Sequence, residues 1–509
     1  MVRRASRLLA GFALLALAGW AAAQSASPAT AAPAAPVAPS APGAPGTSAV
    51  PAETDAAPLP ASLPPALAQA LRAARLPAGG VGIMVQDVAS GRTLAALNPE
   101  RAMNPASVMK LVTTYAALEM LGPSYIWRTG LFEAGARRGD VLEGDLVMRG
   151  SGDPKLTQEQ LWLALKALRA RGLREIRGNV LTDRGAFEIS GYDASRFDGD
   201  PLRAYNAGPD ALLINFKSLA ITFAPDESSG QVAVSIEPKL AGIPLRSAVK
   251  AVNGPCADFR SYAVRPKIDA TGVSLTGTYS TACGSRTWWL HPYELTAVQY
   301  AGAVFKALWA GVGGTITGEV RDAPLPAGAR LVYEIESPTL AEVVRDINKF
   351  SNNVMARQLF LTLSIDGRTP GSAERSARAV RTWMAERRLG GEELVMENGS
   401  GLSRLERVSP ATLSRLLLAA WRSPVMPEFM ASMPLVAYDG TMRRRMKTRD
   451  VAGQAHIKTG SLNDVRSIAG YVLAASGRRL AVVCVVNAGN LAGAQGLQDA
   501  LLQWAYSEG

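Results

Sequence analysis

Hydropathy along the chain changes character several times, and each change predicts a different kind of element. Leu8 to Ala18 is an apolar run broken only by Gly11, preceded by Arg3, Arg4 and Arg7 and followed by Ala21 and Ala23. A positive start, a short apolar stretch and small residues before Gln24 predict an export signal over residues 1–23, removed after use. The run is short for a membrane span, which needs roughly 20 residues. From Ser25 to about Pro65 nearly every residue is Ala, Pro or Ser. Such a stretch cannot bury a core, so residues 24–65 read as an extended tether. Periodic apolar positions begin at Pro65. They predict a helix over Pro65–Ala74 and strands over Val81–Asp87 and Thr93–Leu97, turning through Ser90-Gly91. Met103 to Gly122 reads as a helix apolar on almost every side, with Pro105 suited to its start and Gly122 to its stop.

Between about Arg149 and Glu336 a period of two takes over, as in Leu212–Phe223, Val232–Glu237 and Val273–Tyr279, punctuated by Gly, Pro and Asp. This segment is expected to be β-rich, with a helix near Gln158–Arg171. After Ser337-Pro338 helical spacing returns. Helices are predicted through Phe350, over Asn352–Leu363, over Ser372–Arg388 and over Pro410–Arg422. Strands follow at Gln454–Thr459, Ser467–Ala474 and Leu480–Asn487, the last two forming a hairpin, and a helix over Ala492–Ser507 closes the chain. The pattern predicts a multi-domain α/β protein. Residues 66–148 and 337–509 form one catalytic domain, and residues 149–336 are inserted into it. Without the insertion about 260 residues remain after the tether, a reasonable single domain.

Composition narrows the function classes. Hydrophobic residues make up 48% and charged residues 19%, which excludes a disordered chain. The net charge is +11, of which the three signal arginines contribute +3. The remaining mild positive field suits an anionic polymer such as a cell-wall glycan. Nucleic-acid binding is excluded: there is no basic block interleaved with aromatics, no zinc-finger spacing and no RNA-recognition signature. Three cysteines and two histidines argue against a structural zinc site, and no metal or cofactor is expected. In an exported protein Cys256 and Cys283 are expected to pair, leaving Cys484, inside the apolar run Leu480–Val486, as a buried thiol.

The chemistry rests on three short motifs in fixed order: Ser107-Val-Met-Lys110, Ser351-Asn-Asn353 and Lys458-Thr-Gly460. Helix positions three apart share a face, so the Lys110 amine reaches the Ser107 hydroxyl. An apolar surrounding lowers the Lys110 pKa and frees the amine to take the serine proton, without which a hydroxyl is a poor nucleophile. Ser107 falls in the first turn, where free backbone N–H groups favour a developing oxyanion. Ser351 offers a hydroxyl to relay a proton to a leaving amine, and Asn353 an amide to hold a substrate carbonyl. Lys458 and Thr459 offer a cation and a hydroxyl to a substrate carboxylate. Gly460 allows close approach of a substrate backbone, and the Ser461 N–H is a candidate second oxyanion donor. Ser-x-x-Lys and Ser-x-Asn alone are common by chance, whereas Lys-Thr-Gly occurs once, on a strand leading into the C-terminal hairpin and helix. The ordered set, each member in its required structural context, is the signature of serine β-lactamases and penicillin-binding proteins. A Ser-His-Asp triad fits less well, since His291 and His456 sit in strand-like segments and no Gly-x-Ser-x-Gly elbow is present.

With these motifs the sequence resembles the D-alanyl-D-alanine carboxypeptidase/endopeptidase family of class C, low-molecular-mass penicillin-binding proteins (peptidase family S13). Gly150-Ser-Gly-Asp-Pro154, Asn398-Gly-Ser-Gly-Leu-Ser-Arg404 and Tyr438-Asp-Gly-Thr-Met-Arg-Arg444 add to the resemblance, which runs from about Leu63 to the C-terminus. Roughly 240 positions lie between Lys110 and Ser351, far more than a compact penicillin-recognising domain uses, so the β-rich segment fits as an insertion. The resemblance implies a β-lactamase/transpeptidase-like catalytic domain, an antiparallel sheet flanked by helices, with two extra domains in the insertion. It implies periplasmic hydrolysis of the terminal D-Ala–D-Ala bond and of D-Ala–diaminopimelate cross-links in peptidoglycan stem peptides, and covalent inhibition by β-lactams. Carried over by motif, Ser107 is the nucleophile, Lys110 the proton acceptor, Ser351 and Asn353 relay and positioning groups, and Lys458 an electrostatic anchor. The sequence departs from the family's habit at Asn398, often Asp, and at Ser461, often Thr. Two other readings stay open: a β-lactamase or esterase on the same scaffold, which the large insertion disfavours, and a non-catalytic wall-binding protein, which intact Ser107, Lys110 and Lys458 disfavour.

Overall fold

Runs of Val, Ile and Ala near the C-terminus build the sheet on which the three motifs converge. In this computed structural model residues 63–226, 230–260 and 263–509 are described. The expected signal (1–23) and all but the last residues of the expected tether (24–65) lie outside them. Five antiparallel strands form a sheet in the order Ala455–Leu462, Val465–Leu473, Arg479–Asn487, Val81–Asp87 and Thr93–Leu97. Arg479–Asn487 is buried along its whole interior, as a central strand covered on both faces must be, which is why it reads as a continuous apolar run rather than an alternating one. Successive side chains point to opposite faces. Ala481, Val483 and Val485 enter a core shared with the helices Met109–Leu121, Leu340–Phe350, Asn353–Thr362, Ala373–Glu386 and Pro410–Arg422. Val482, Cys484 and Val486 enter a second core against Pro65–Ala74 and Ala494–Ser507. The expected fold class holds: an antiparallel sheet between helical layers.

The helix Met109–Leu121 is buried at every position from Met109 to Leu118, so it is the hub of the first core. The α-helix starts later than the sequence pattern suggests. Ala106–Val108 is a separate turn of 3-10 helix, and Ser107 sits in it.

The insertion has two sheets. Six strands form one, ordered Val264–Asp269, Gly272–Ser280, Leu245–Val252, Gln231–Glu237, Leu219–Asp226 and Arg286–Leu290. The other is built around the hairpin Arg128–Arg138 and Val141–Arg149, flanked by Arg330–Glu336 and the short strands Glu175–Ile176 and Val180–Asp183. This hairpin lies inside the stretch assigned above to the catalytic part. The strand Arg128–Arg138 pairs with Val141–Arg149 and Arg330–Glu336 and not with the five-stranded sheet. The chain enters and leaves the insertion side by side: Ser337 N–H donates to the Trp127 carbonyl at 3.0 Å and Leu340 N–H to that of Tyr125 at 2.8 Å. A second helix, Ala297–Gly311, was not predicted in this β-rich segment. Its start carries a capping box, with Thr296 and Gln299 satisfying each other's backbone N–H, a sequence signature that period-two reading passes over. Cys256 and Cys283 are joined in a disulfide. Cys484 is free and buried, and burial pushes its thiol up to about 12.

Candidate active site

Ser107 is presented by a turn clamped from three directions. Ala106 adopts a left-handed backbone (φ 45°), unusual for a residue with a Cβ. It is held there by its N–H donating to Asn104 Oδ1 at 2.9 Å. Asn104 in turn exchanges hydrogen bonds with Asn487 at the end of the central strand (2.8 and 2.9 Å) and donates to the Ser403 carbonyl at 2.9 Å. Ser467, on the neighbouring strand, donates to the Pro105 carbonyl at 2.5 Å.

Two glycines then bring backbone against the Ser107 N–H. A Cβ on Gly460 would lie 3.0 Å from Ser107 N and 2.7 Å from the Pro105 oxygen, and one on Gly401 would lie 2.7 Å from Ser107 N. Gly460 was expected to permit close approach of substrate. Here it also permits close approach of the strand to the serine turn.

Lys110, one turn along, is fully buried. Its ammonium donates to Ser107 Oγ at 2.9 Å, to Asn353 Oδ1 at 2.7 Å and to the Ser400 carbonyl. Burial first, and the Lys458 charge second, hold its pKa well below the ordinary lysine range, with the Glu406 carboxylate opposing. The amine is therefore biased toward the free base beside a hydroxyl it can deprotonate.

The second motif sits where one helix ends and another begins. Ser351 closes Leu340–Phe350 in a left-handed conformation (φ 56°, ψ 39°). Asn352 caps Asn353–Thr362 by accepting the Met355 N–H at 3.0 Å. The abrupt change of direction leaves Ser351 and Asn353 facing the cleft. Asn353 turns its oxygen to Lys110, which leaves its amide nitrogen available to a substrate carbonyl.

Lys458 departs from the expectation of an open cation. It is fully buried, and its ammonium donates to Ser351 Oγ at 2.9 Å and to the Thr459 carbonyl at 2.6 Å. Burial pushes it down to about 7. Its geometry suits a group acting through Ser351 better than one touching a carboxylate directly. Thr459 remains partly exposed, its hydroxyl 2.7 Å from that of Thr441, and Ser461 is exposed one residue past Gly460. The structure thus brings Ser107, Lys110, Ser351, Asn353, Lys458, Thr459 and Gly460 into one cleft, although Lys110 and Asn353 are 243 positions apart. His456 makes no hydrogen bond to any of these side chains, and His291 lies in the insertion.

Sequence reasoning missed two contributors. The Asn398–Arg404 stretch was noted as a likeness only, yet Ser400 supplies the carbonyl that accepts from Lys110. Nothing in the sequence singles out Glu406. It is completely buried, and its Oε1 accepts the N–H groups of Glu397, Asn398 and Gly399 at 3.2, 3.0 and 2.9 Å. One carboxylate thus folds the loop that reaches Lys110 and Ser107, and acts electrostatically on the buried Lys110 ammonium and the Arg357 guanidinium. The only sequence signal was a Glu in an otherwise polar loop, indistinguishable from a surface residue.

A profile of the D-Ala-D-Ala carboxypeptidase 3 (S13) family matches residues 63–507. The D-alanyl-D-alanine carboxypeptidase of an Actinomadura species is 29% identical over 414 residues, covering 77% of this chain and 74% of the relative. The D-alanyl-D-alanine carboxypeptidase DacB of Haemophilus influenzae is 24% identical over 422 residues, 81% of this chain and 86% of that one. The crystal structure of penicillin binding protein 4 from Haemophilus influenzae matches in fold with a TM-score of 0.71 at 22% identity, across 87% of this chain and 99% of that one.

Proposed function

The chain belongs to the D-Ala-D-Ala carboxypeptidase 3 (S13) family, and from that premise we propose that Ser107 is the nucleophile of a D-Ala–D-Ala carboxypeptidase and endopeptidase acting on peptidoglycan stem peptides. The observation that carries this reading is the Lys110 ammonium, buried and bonded to Ser107 Oγ at 2.9 Å. As the free amine, Lys110 accepts the Ser107 proton while Oγ attacks the carbonyl of the penultimate D-alanine. The tetrahedral oxyanion forms beside the Ser107 N–H and the backbone of the Gly460–Ser461 strand. Ser351 passes a proton to the departing amine nitrogen. The buried Lys458, bonded to Ser351 Oγ, supplies the proton to that relay. The C–N bond breaks, D-alanine or the cross-linked amino acid leaves, and an ester on Ser107 remains until water hydrolyses it. Thr459 and Thr441, hydroxyl to hydroxyl at the exposed edge, are positioned to receive the substrate's terminal carboxylate. A β-lactam enters as a carbonyl whose leaving nitrogen stays tethered, so the same ester forms and persists.

Residues 1–23 as an export signal and 24–65 as a tether complete this reading and place the enzyme in the periplasm, where its polymer substrate lies. No helix among the described residues is long and apolar enough to cross a membrane. The test is intact-mass measurement after benzylpenicillin, with peptide mapping, beside D-alanine release from a D-Ala–D-Ala pentapeptide. A single adduct on the peptide bearing Ser107, with adduct and D-alanine release both abolished in Ser107→Ala, is expected. Undiminished D-alanine release by Ser107→Ala removes the serine mechanism.

A further inference from the structure

The insertion holds a cavity of about 430 Å³ that borders none of the three motifs. One wall is the turn Ile214–Lys217, in which Asn215, Phe216 and Lys217 all have left-handed backbone (φ 47°, 56° and 45°). The turn delivers Lys217 to the cavity. Among the described residues its ammonium has neither a hydrogen bond nor an ion pair. The carboxylate in the same wall, Asp210, is already engaged: it takes Arg184 at 2.9 and 2.7 Å and the Leu212 N–H at 2.9 Å. Burial holds Lys217 down to about 8, with Asp210 opposing and Arg184 assisting.

His291 lines the same cavity and is 3% exposed. Its Nδ1 lies 3.1 Å from the Pro201 carbonyl. A carbonyl only accepts, so Nδ1 carries the proton and Nε2 presents a lone pair. That Nε2 is buried and has no partner. Burial first and the Lys217 charge second keep the ring down to about 4, hence neutral. The Lys217 charge is thus felt at the imidazole without a bond between them. A buried acceptor left unmatched is destabilising, and a partly buried ammonium without a counter-ion adds to the cost.

These two groups together specify a ligand: an anion for Lys217 with a hydrogen-bond donor beside it for His291. We propose that the cavity between Lys217 and His291 is a second, non-catalytic binding site for an N-acylated α-amino carboxylate, whether a free small molecule or the C-terminal residue of a peptide. The carboxylate pairs with the Lys217 ammonium and the adjoining amide N–H donates to His291 Nε2. Inorganic sulfate, which carries no hydrogen-bond donor, meets only the first requirement. The volume is in the range of small-ligand sites. The segment from Ile189 to Ala194 borders this cavity and also the cavity of about 620 Å³ beside Asn398 and Leu402.

The test is calorimetric titration of the whole exported chain with N-acetyl-alanine, both hands present, and with N-acetyl-alaninamide, which keeps the N–H and lacks the anion. Binding of the acid below roughly 10 mM, as suits so small a ligand, with the amide at least about tenfold weaker, is expected. Lys217→Met should weaken the acid by at least about tenfold, while Lys217→Arg stays within about threefold of the parent. D-alanine release by Lys217→Met should be unchanged, which verifies its fold and separates this site from the Ser107 cleft. Repeating the titration with a tetrapeptide ending in alanine distinguishes the two sources, tighter binding indicating a peptide end and equal binding a free ligand. Unaltered acid binding in Lys217→Met, equal binding of acid and amide, or no binding to the parent overturns the proposal.

Discussion

Gly401→Ala isolates the contact between the Asn398–Arg404 loop and the Ser107 turn. Gly401 has φ 79°, and an added Cβ would strike the Ala106 carbonyl and lie 2.7 Å from Ser107 N. The left-handed backbone alone costs an alanine about 1–2 kcal/mol. The collision is with backbone, not with the end of a flexible side chain, so no rotamer relieves it. Either the loop recedes, withdrawing the Ser400 carbonyl from Lys110, or the turn recedes, displacing Ser107. A shift of about 1 Å at a reacting group costs on the order of 100-fold in rate. Acylation by a fluorescent penicillin, followed by stopped flow, is therefore expected to slow about 100-fold, and chemical unfolding to show about 2–4 kcal/mol lost. Gly496→Ala is the control: it sits in the helix Ala494–Ser507 with nothing within 4 Å of its added Cβ, so acylation should be unchanged and stability equal or up to about 1 kcal/mol higher. If Gly401→Ala acylates within about threefold of the parent and unfolds at the same denaturant concentration, the loop does not support Ser107 as argued.

Two further outcomes test the buried charges. Glu406 raises the Lys110 pKa against burial. Glu406→Gln keeps an oxygen for the three N–H groups but removes that charge, so the acid limb of the acylation pH profile should move to lower pH. A limb that stays or moves to higher pH contradicts the coupling. For Lys458, the folded chain releases its proton near 7 and a free lysine near 10.5. Between those values the unfolded chain binds more protons, so this group makes stability climb with pH, by up to about 1.4 kcal/mol per unit. Chemical denaturation at several pH values should show a shallower rise in Lys458→Met than in the parent over that window, and equal slopes refute the buried-ammonium description.

Much of the catalytic fold was legible because its signals are local. Pro410–Arg422 and Val81–Asp87 follow from periodicity and punctuation, and the structure reproduces their bounds. The failures have physical causes. Arg128–Arg138 falls within the residues grouped above with the catalytic part, yet its strand partners are Val141–Arg149 and Arg330–Glu336, a pairing across about 200 positions that no local pattern shows. The helix Ala297–Gly311 is apolar enough to resemble buried strand when its capping box is overlooked.

At the site, the division is the same. Residue type and order alone nominate Ser107, Lys110, Ser351, Asn353 and Lys458, because the chemistry of an activated hydroxyl restricts which side chains serve and how two of them are spaced along the chain. Tertiary structure alone decides that Lys458 is buried against Ser351, that Ser400 lends Lys110 a carbonyl, and that Glu406 is an interior charge. Each of these depends on desolvation and on backbone groups brought together from distant segments, and neither quantity is a property of a residue's letter or of its neighbours in the chain.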